Sequence, residues 1–101
     1  MDVINLFKQS TPLFTALGDP IRQNIVLRLS ERSYSVNELV DFLDLSQPAV
    51  SHHLKILSQA GLVAIERSGT RRIYTLTPYD CLDTLKELIT AVEIACPQDK
   101  K

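Results

Sequence analysis

The chain has 101 residues, 45% of them apolar, with three Tyr, three Phe and no Trp; this suits one mainly helical domain with one modest core and leaves little room for a substrate cleft. A formal net charge of −1 argues against a protein that coats nucleic acid with an all-over positive surface. No stretch approaches the roughly 20 apolar residues of a membrane span, and "MDVINLFKQS" lacks the basic start and apolar run of a signal peptide, so a cytoplasmic protein without membrane contact is expected.

The opening segment "DVINLFKQSTPLFTALG" is helical in pattern, with Phe7, Phe14 and Leu17 on related faces; Pro12 is expected to divide it into two short pieces, and Gly18 to end it. "GDPIRQNIVLRLS" starts a helix, with Asp19 as N-cap, Pro20 at the first position and Ile21, Ile25 and Leu29 at helical spacing. "SVNEL" is a capping box in which Ser35 reaches forward and Glu38 reaches back, ahead of the apolar face of Val36, Leu39, Val40 and Leu43. Ser46 starts the next helix after a very short junction, and Gly61 ends it as a left-handed cap.

Between Gly61 and Thr77 the period changes. "LVAIER" and "RRIYTL" are strand-like, and the turn "SGT" joins them into a β-hairpin around Gly69. "LTPYD" then starts a last helix, with Thr77 as cap and Pro78 at its first position. The Lys100–Lys101 tail is expected to fray. The chain (1–101) thus reads as a single, mainly α domain: about five helices plus a small β-hairpin. Two closely joined helices followed by a hairpin are the layout of a winged helix-turn-helix.

Both histidines lie in "LSQPAVSHHLKIL". Advancing about 100° per residue from Val50, Leu54 and Leu57 stay within roughly 40° of it, His53 falls about 60° away on the shoulder, and His52 about 160° away. Joint chelation from one helix needs a spacing of three or four residues, and no other ligand type lies within a turn, so no metal role is assigned. His53 reads as a half-buried residue hydrogen-bonded to a neighbour. The outward side carries Gln47, Ala49, Ser51 and His52 in the first two turns, the part of a recognition helix that enters the major groove, and Lys55 one turn later is suited to a phosphate.

Charge is unevenly placed. From Ser46 to Leu76 four basic residues, Lys55, Arg67, Arg71 and Arg72, meet one acid, Glu66, so the segment carries three net positive charges on an otherwise acidic chain. The hairpin is then a second contact, on the DNA backbone or in the minor groove, made by Arg67, Thr70, Arg71 and Arg72. Arg71 and Arg72 alternate faces in a strand. Only one of them is therefore expected to reach DNA with Arg67 or Thr70, the other pairing with Glu66 or another acid.

The stretches "FTALGDPIRQNIVLRL", "YSVNELVDFLDLSQPAVSHHLKILSQAGLV" and "RSGTRRIYTL" resemble the arsenic-repressor (ArsR/SmtB) family of bacterial transcription regulators from about Phe14 to Leu76. The resemblance implies a homodimeric winged-helix repressor that binds a palindromic double-stranded operator and releases it to an effector. By matching position, Gln47, Ser51 and His52 would read DNA and Arg67 to Arg72 would form the wing. The family's thiolate metal site lies on the helix before the recognition helix, which here reads "VNELVDFLD" without cysteine; its other site falls on Pro78, Asp80, Ala91 and Ile94, of which only Asp80 could ligate. Neither metal sensor transfers, no cofactor is indicated, and the effector is open.

The last helix (78–96) repeats Leu82, Leu85, Ile89, Val92 and Cys96, widened by Leu88 and Ala95. With Phe7 and the N-terminal segment, this stripe is the expected dimer interface. Cys96 reads as an apolar filler, and Cys81 as a thiol whose pKa the helix start could lower. About 22 Å of helix separates the two, so only a pairing between subunits could join them. Two alternatives stay open beside the repressor: a winged-helix module that binds protein instead of DNA, and a repressor switched by redox or persulfide chemistry at Cys81 and Cys96. An enzyme is not expected, because no nucleophile–base arrangement, phosphate-cradling loop or carboxylate pair can be placed.

Overall fold

The computed structural model describes residues 2–96; the expected fraying of Lys100–Lys101 lies outside the described residues. Five helices and a small sheet follow one another as α1 (Val3–Leu17), α2 (Pro20–Leu29), β1 (Tyr34–Ser35), α3 (Val36–Leu43), α4 (Gln47–Gln59), β2 (Val63–Ser68), β3 (Arg71–Leu76) and α5 (Tyr79–Ala95). This is a winged helix-turn-helix.

Local chemistry marks most boundaries as expected. The Asp19 carboxylate accepts from the N–H groups of Ile21 and Arg22 at the start of α2. Ser35 and Glu38 close the capping box of α3 in both directions. Ser46 Oγ accepts from Ala49 N–H at the start of α4. At the far end of α4, Leu62 N–H donates to the Leu57 carbonyl and Gly61 N–H to the Ser58 carbonyl, with Gly61 at φ +82°. That paired closure needs a left-handed residue, which glycine adopts without a Cβ clash. The tight turn between α3 and α4 passes through Asp44, also left-handed at φ 54°.

Three expectations are corrected. Pro12 does not divide the first helix: α1 runs unbroken from Val3 to Leu17. Pro12 is exposed, while Leu6, Ser10, Leu13 and Ala16 on the other side of α1 are buried and hold both halves in line; tertiary packing outweighs one missing hydrogen bond. The last helix starts one residue later than expected, with Pro78 at the cap position and no side-chain cap. Thr77 is held elsewhere, its N–H donating to the Leu62 carbonyl at 2.8 Å and closing the base of the hairpin. Finally, the hairpin is two strands of a three-stranded antiparallel sheet of order β1-β3-β2, in which Tyr34 pairs with Tyr74 and Ser35 with Ile73.

The main core joins α1, α2, α3, α4 and the sheet through residues such as Leu13, Ile25, Leu39, Val50, Leu54 and Leu57. A second, smaller cluster of Leu6, Leu88 and Ala91 pins α5 to α1. The molecule measures 55 × 24 × 22 Å, so it is more than twice as long as it is wide.

Candidate nucleic-acid interface

Helix α4 buries Val50, Leu54 and Leu57 completely and turns its polar side outward. On that side Gln47 and Lys55 are exposed and Ser51 is half-buried, each a turn beyond the last. They look across to the wing. One groove, of about 430 Å³, is lined by Ser51, Lys55, Ser58 and Gln59 of α4 and by Ile65 and Arg72 of the hairpin. A smaller one, near the wing tip, brings Gln47 together with Asn37, Thr70, Arg71 and Arg72. Of the expected helix residues, Gln47, Ser51 and Lys55 therefore share a wall with the wing. His52 is exposed and lines neither groove, its ring 5.9 Å from that of His53. Ala49 is half-buried at the edge of the polar side.

The strand register decides which wing arginines act together. Arg67 lies directly opposite Arg72, and Ile65 opposite Tyr74. Because side chains alternate, these four share the hairpin face that looks onto α4. Arg71 belongs to the other face, where its Nη2 lies 3.8 Å from Glu38 Oε1. Glu38 also pairs with Arg32 at 3.2 Å and accepts from Ser35 N–H at 2.9 Å. The Ser35 hydrogen bond, then Arg32, hold the Glu38 carboxyl below its ordinary range. The acid expected beside one of the two adjacent arginines is thus Glu38 rather than Glu66. Among the described residues, neither Arg67 nor Arg72 is paired with an acid. Like charges directly opposite on two strands repel, so this face is prepared for an anion. The turn that sets the register places Gly69 at φ +63° in the first of two loop positions, where a type II′ turn takes glycine.

The chain matches the family model described as bacterial regulatory protein, arsR family, over residues 19–64. It is 51% identical over 67 residues to the HTH-type transcriptional repressor SmtB of Mycobacterium tuberculosis, covering 66% of this chain and 50% of SmtB. It is 41% identical over 75 residues to the HTH-type transcriptional regulator Rv2034 of the same organism, covering 74% of this chain and 70% of that one. The chain belongs to the ArsR family.

The crystallised ArsR-like transcriptional regulator from Rhodococcus sp. RHA1 aligns with this ArsR-family fold at a TM-score of 0.77 and 25% identity, over 88% of this chain and 84% of its own. The chain spans half the length of SmtB. The family is one of transcription regulators, not enzymes. Its matched segment takes in α2, α3 and α4 but stops before the wing tip and excludes α1 and α5.

The regions outside that segment depart from the sequence reading in two ways. The stripe on α5 is split. Leu88 is buried against α1 of the same chain, with Leu85 partly so, and Leu82 is half-buried, whereas Ile89, Val92 and Cys96 remain exposed. Phe7 and Ile4 on α1 are exposed as well. Leu85 is thus mainly an intrachain contact, because α5 must first cover α1 before it can offer a face to anything else. The second departure is Cys81. Burial raises its thiol pKa, and Sγ donates to the Pro78 carbonyl at 3.2 Å. A half-buried thiol that donates to a carbonyl is stabilised as the thiol, against the expected lowering by the helix start.

Sequence reasoning missed Arg22, which is buried at 9% exposure, and Glu38's hold on Arg71. The first had a signal: Arg22 lies within about 60° of Ile25 on the apolar side of its helix. The second had none, because Glu38 and Arg71 meet only through the pairing of β1 with β3.

Proposed function

We propose that the protein is a homodimeric transcriptional repressor that binds a palindromic operator in double-stranded DNA. Helix α4 enters the major groove with Gln47, Ser51 and His52 near base edges, and Lys55 near a phosphate. Arg67 and Arg72 lie on the adjoining backbone or in the minor groove, and Thr70 and Arg71 flank them. The observation that carries this reading is the wall shared by Gln47, Ser51, Lys55 and Arg72, with two arginines opposite each other on the hairpin and, among the described residues, no acid paired with them.

The dimer is supported by the apolar surface left on α1 and α5. Ile4, Phe7, Ile89 and Val92 are 69%, 46%, 51% and 45% exposed on two helices packed against each other, and an apolar patch rather than a single exposed residue is what marks an interaction surface. Two recognition helices about 34–36 Å apart are also what a palindrome demands. The relatives' printed names, repressor and transcriptional regulator, agree with this reading.

Gel-shift titration on the DNA upstream of the protein's own coding sequence tests it, repeated with metals, oxidants and sulfur species to seek an effector. Specific retardation that weakens with salt is expected. Arg72→Ala should lower affinity and reduce the salt slope by about two, one phosphate contact being lost in each subunit of the dimer. Equal binding to unrelated DNA, or none, overturns the reading and favours a protein-binding winged helix.

A further inference from the structure

Three helices meet at one guanidinium. Arg22 sits in the first turn of α2, and its Nε donates to the Ala16 carbonyl at 2.8 Å and its Nη2 to the Thr15 carbonyl at 2.9 Å. Both carbonyls belong to the last turns of α1, which carries no basic residue of its own there. The remaining arm, Nη1, lies 3.1 Å from Nδ1 of His53 on α4. An arginine nitrogen can only donate, so Nδ1 is the acceptor and the ring is neutral with its proton on Nε2.

This contact differs in kind from the others that hold α4. Val50, Leu54 and Leu57 attach the helix by apolar packing, whose attraction carries no preferred direction. A planar guanidinium with three directed bonds adds a fixed direction and register to that packing. One end of the bridge is α1, which bears Ile4 and Phe7 of the proposed dimer face; the other end is α4, which bears the proposed DNA readers. Across a twofold axis, any rotation of α4 against α1 enters twice into the separation of the two recognition helices.

We propose that Arg22, acting through neutral His53, is a positioning residue that fixes α4 against the end of α1 and so sets the half-site spacing the dimer accepts. The inference rests on the dimeric DNA-reading function above. The charged and titratable groups acting on His53 are Asp19 and Arg22 at the start of α2 and His52 on α4 itself. Burial holds the His53 pKa below its ordinary value; Asp19 opposes this and Arg22 reinforces it. Protonation would convert Nδ1 from an acceptor into a second donor facing Arg22 and would break the bridge.

The test compares a palindromic duplex selected in vitro on the wild-type chain with the same duplex lengthened by one base pair between its half-sites. The readout is the ratio of the two Kd values from fluorescence anisotropy. Wild type should favour the native spacing by about tenfold or more. His53→Leu removes the acceptor and should bring the ratio towards unity. His53→Asn places a carbonyl oxygen one bond from Cγ, where Nδ1 was, and should restore the ratio. It should also keep the ratio constant as pH is lowered, while the wild-type ratio declines only below the ordinary histidine value of 6.5, as the ring protonates. Simple loss of folded protein lowers both affinities together and leaves the ratio unchanged. An unchanged ratio in a His53→Leu variant that keeps wild-type far-UV circular dichroism, a failure of His53→Asn to restore the ratio, or a wild type indifferent to spacing overturns the positioning role alone. A wild-type chain that selects no duplex overturns the DNA reading and this inference with it.

Discussion

The winged core and the α1–α5 pair solve the same problem differently. In the core, apolar side chains from four helices and the sheet close on one another, and Ile25, Leu39, Val50, Leu54 and Leu57 are fully buried. In the α1–α5 pair, among the described residues, Leu6, Leu88 and Ala91 are buried with Val3 and Leu85 packed against them, while Ile4, Phe7, Ile89 and Val92 stay exposed. One region is finished within a single chain, and the other is, in the proposed dimer, half of an interface. Changes in the first should therefore act on folding at any concentration, and changes in the second on association.

The sharpest way to break the contrast is Leu54→Ala, which should cost about 2–5 kcal/mol in urea unfolding, with no dependence on protein concentration beyond that of the wild type. Ile89→Glu should do the opposite. Far-UV circular dichroism should be retained, while analytical ultracentrifugation shows monomer and operator affinity falls about a hundredfold as the second half-site is lost. A dimeric Ile89→Glu variant would place the interface elsewhere. Within the core the two wing arginines separate in the same manner. Arg72→Ala should lower DNA affinity several-fold, and Arg71→Ala less, since Arg71 already shares Glu38. Equal losses in salt titrations would show that both reach DNA. Ser46→Ala, which removes the α4 cap, should cost about 1 kcal/mol of stability, read by thermal melting.

Acidity offers the mildest test. The folded-state pKa of His53 is depressed below its ordinary 6.5, so the unfolded chain takes up a proton first. The stability this group contributes is complete above that ordinary value and declines as pH falls from it towards the depressed folded value. Asp19 and Glu38, whose carboxyls are also depressed by backbone N–H donors, contribute stability above their ordinary values of 3.8 and 4.5 that is lost at lower pH. Urea midpoints should thus fall in two acid steps, and His53→Asn should remove the upper one.

Much of the fold was legible because its signals are local. The caps at Asp19, Ser35 and Ser46 and the reversal at Gly61 involve residues no more than five apart, and each appears where the sequence places it. Pro12 was misread because the same kind of local rule was outweighed by burial of the other side of α1. The two-residue strand β1 escaped notice because it is too short to show a period. The polar side of α4 was legible from helical spacing, but its facing wall was not.

The order of residues by itself determined the starts of α2, α3 and α4, the reversal at Gly61, which side of α4 is apolar, and that basic residues outnumber acids between Ser46 and Leu76. These follow from hydrogen bonds and periodicities spanning a few residues. Only the tertiary structure decided that Arg72 faces α4 while Arg71 turns to Glu38, that α5 spends Leu88 on its own α1, and that Arg22 ties α1 to His53. Each of those contacts joins segments far apart along the chain, and a side chain's partner there is set by how whole elements pack.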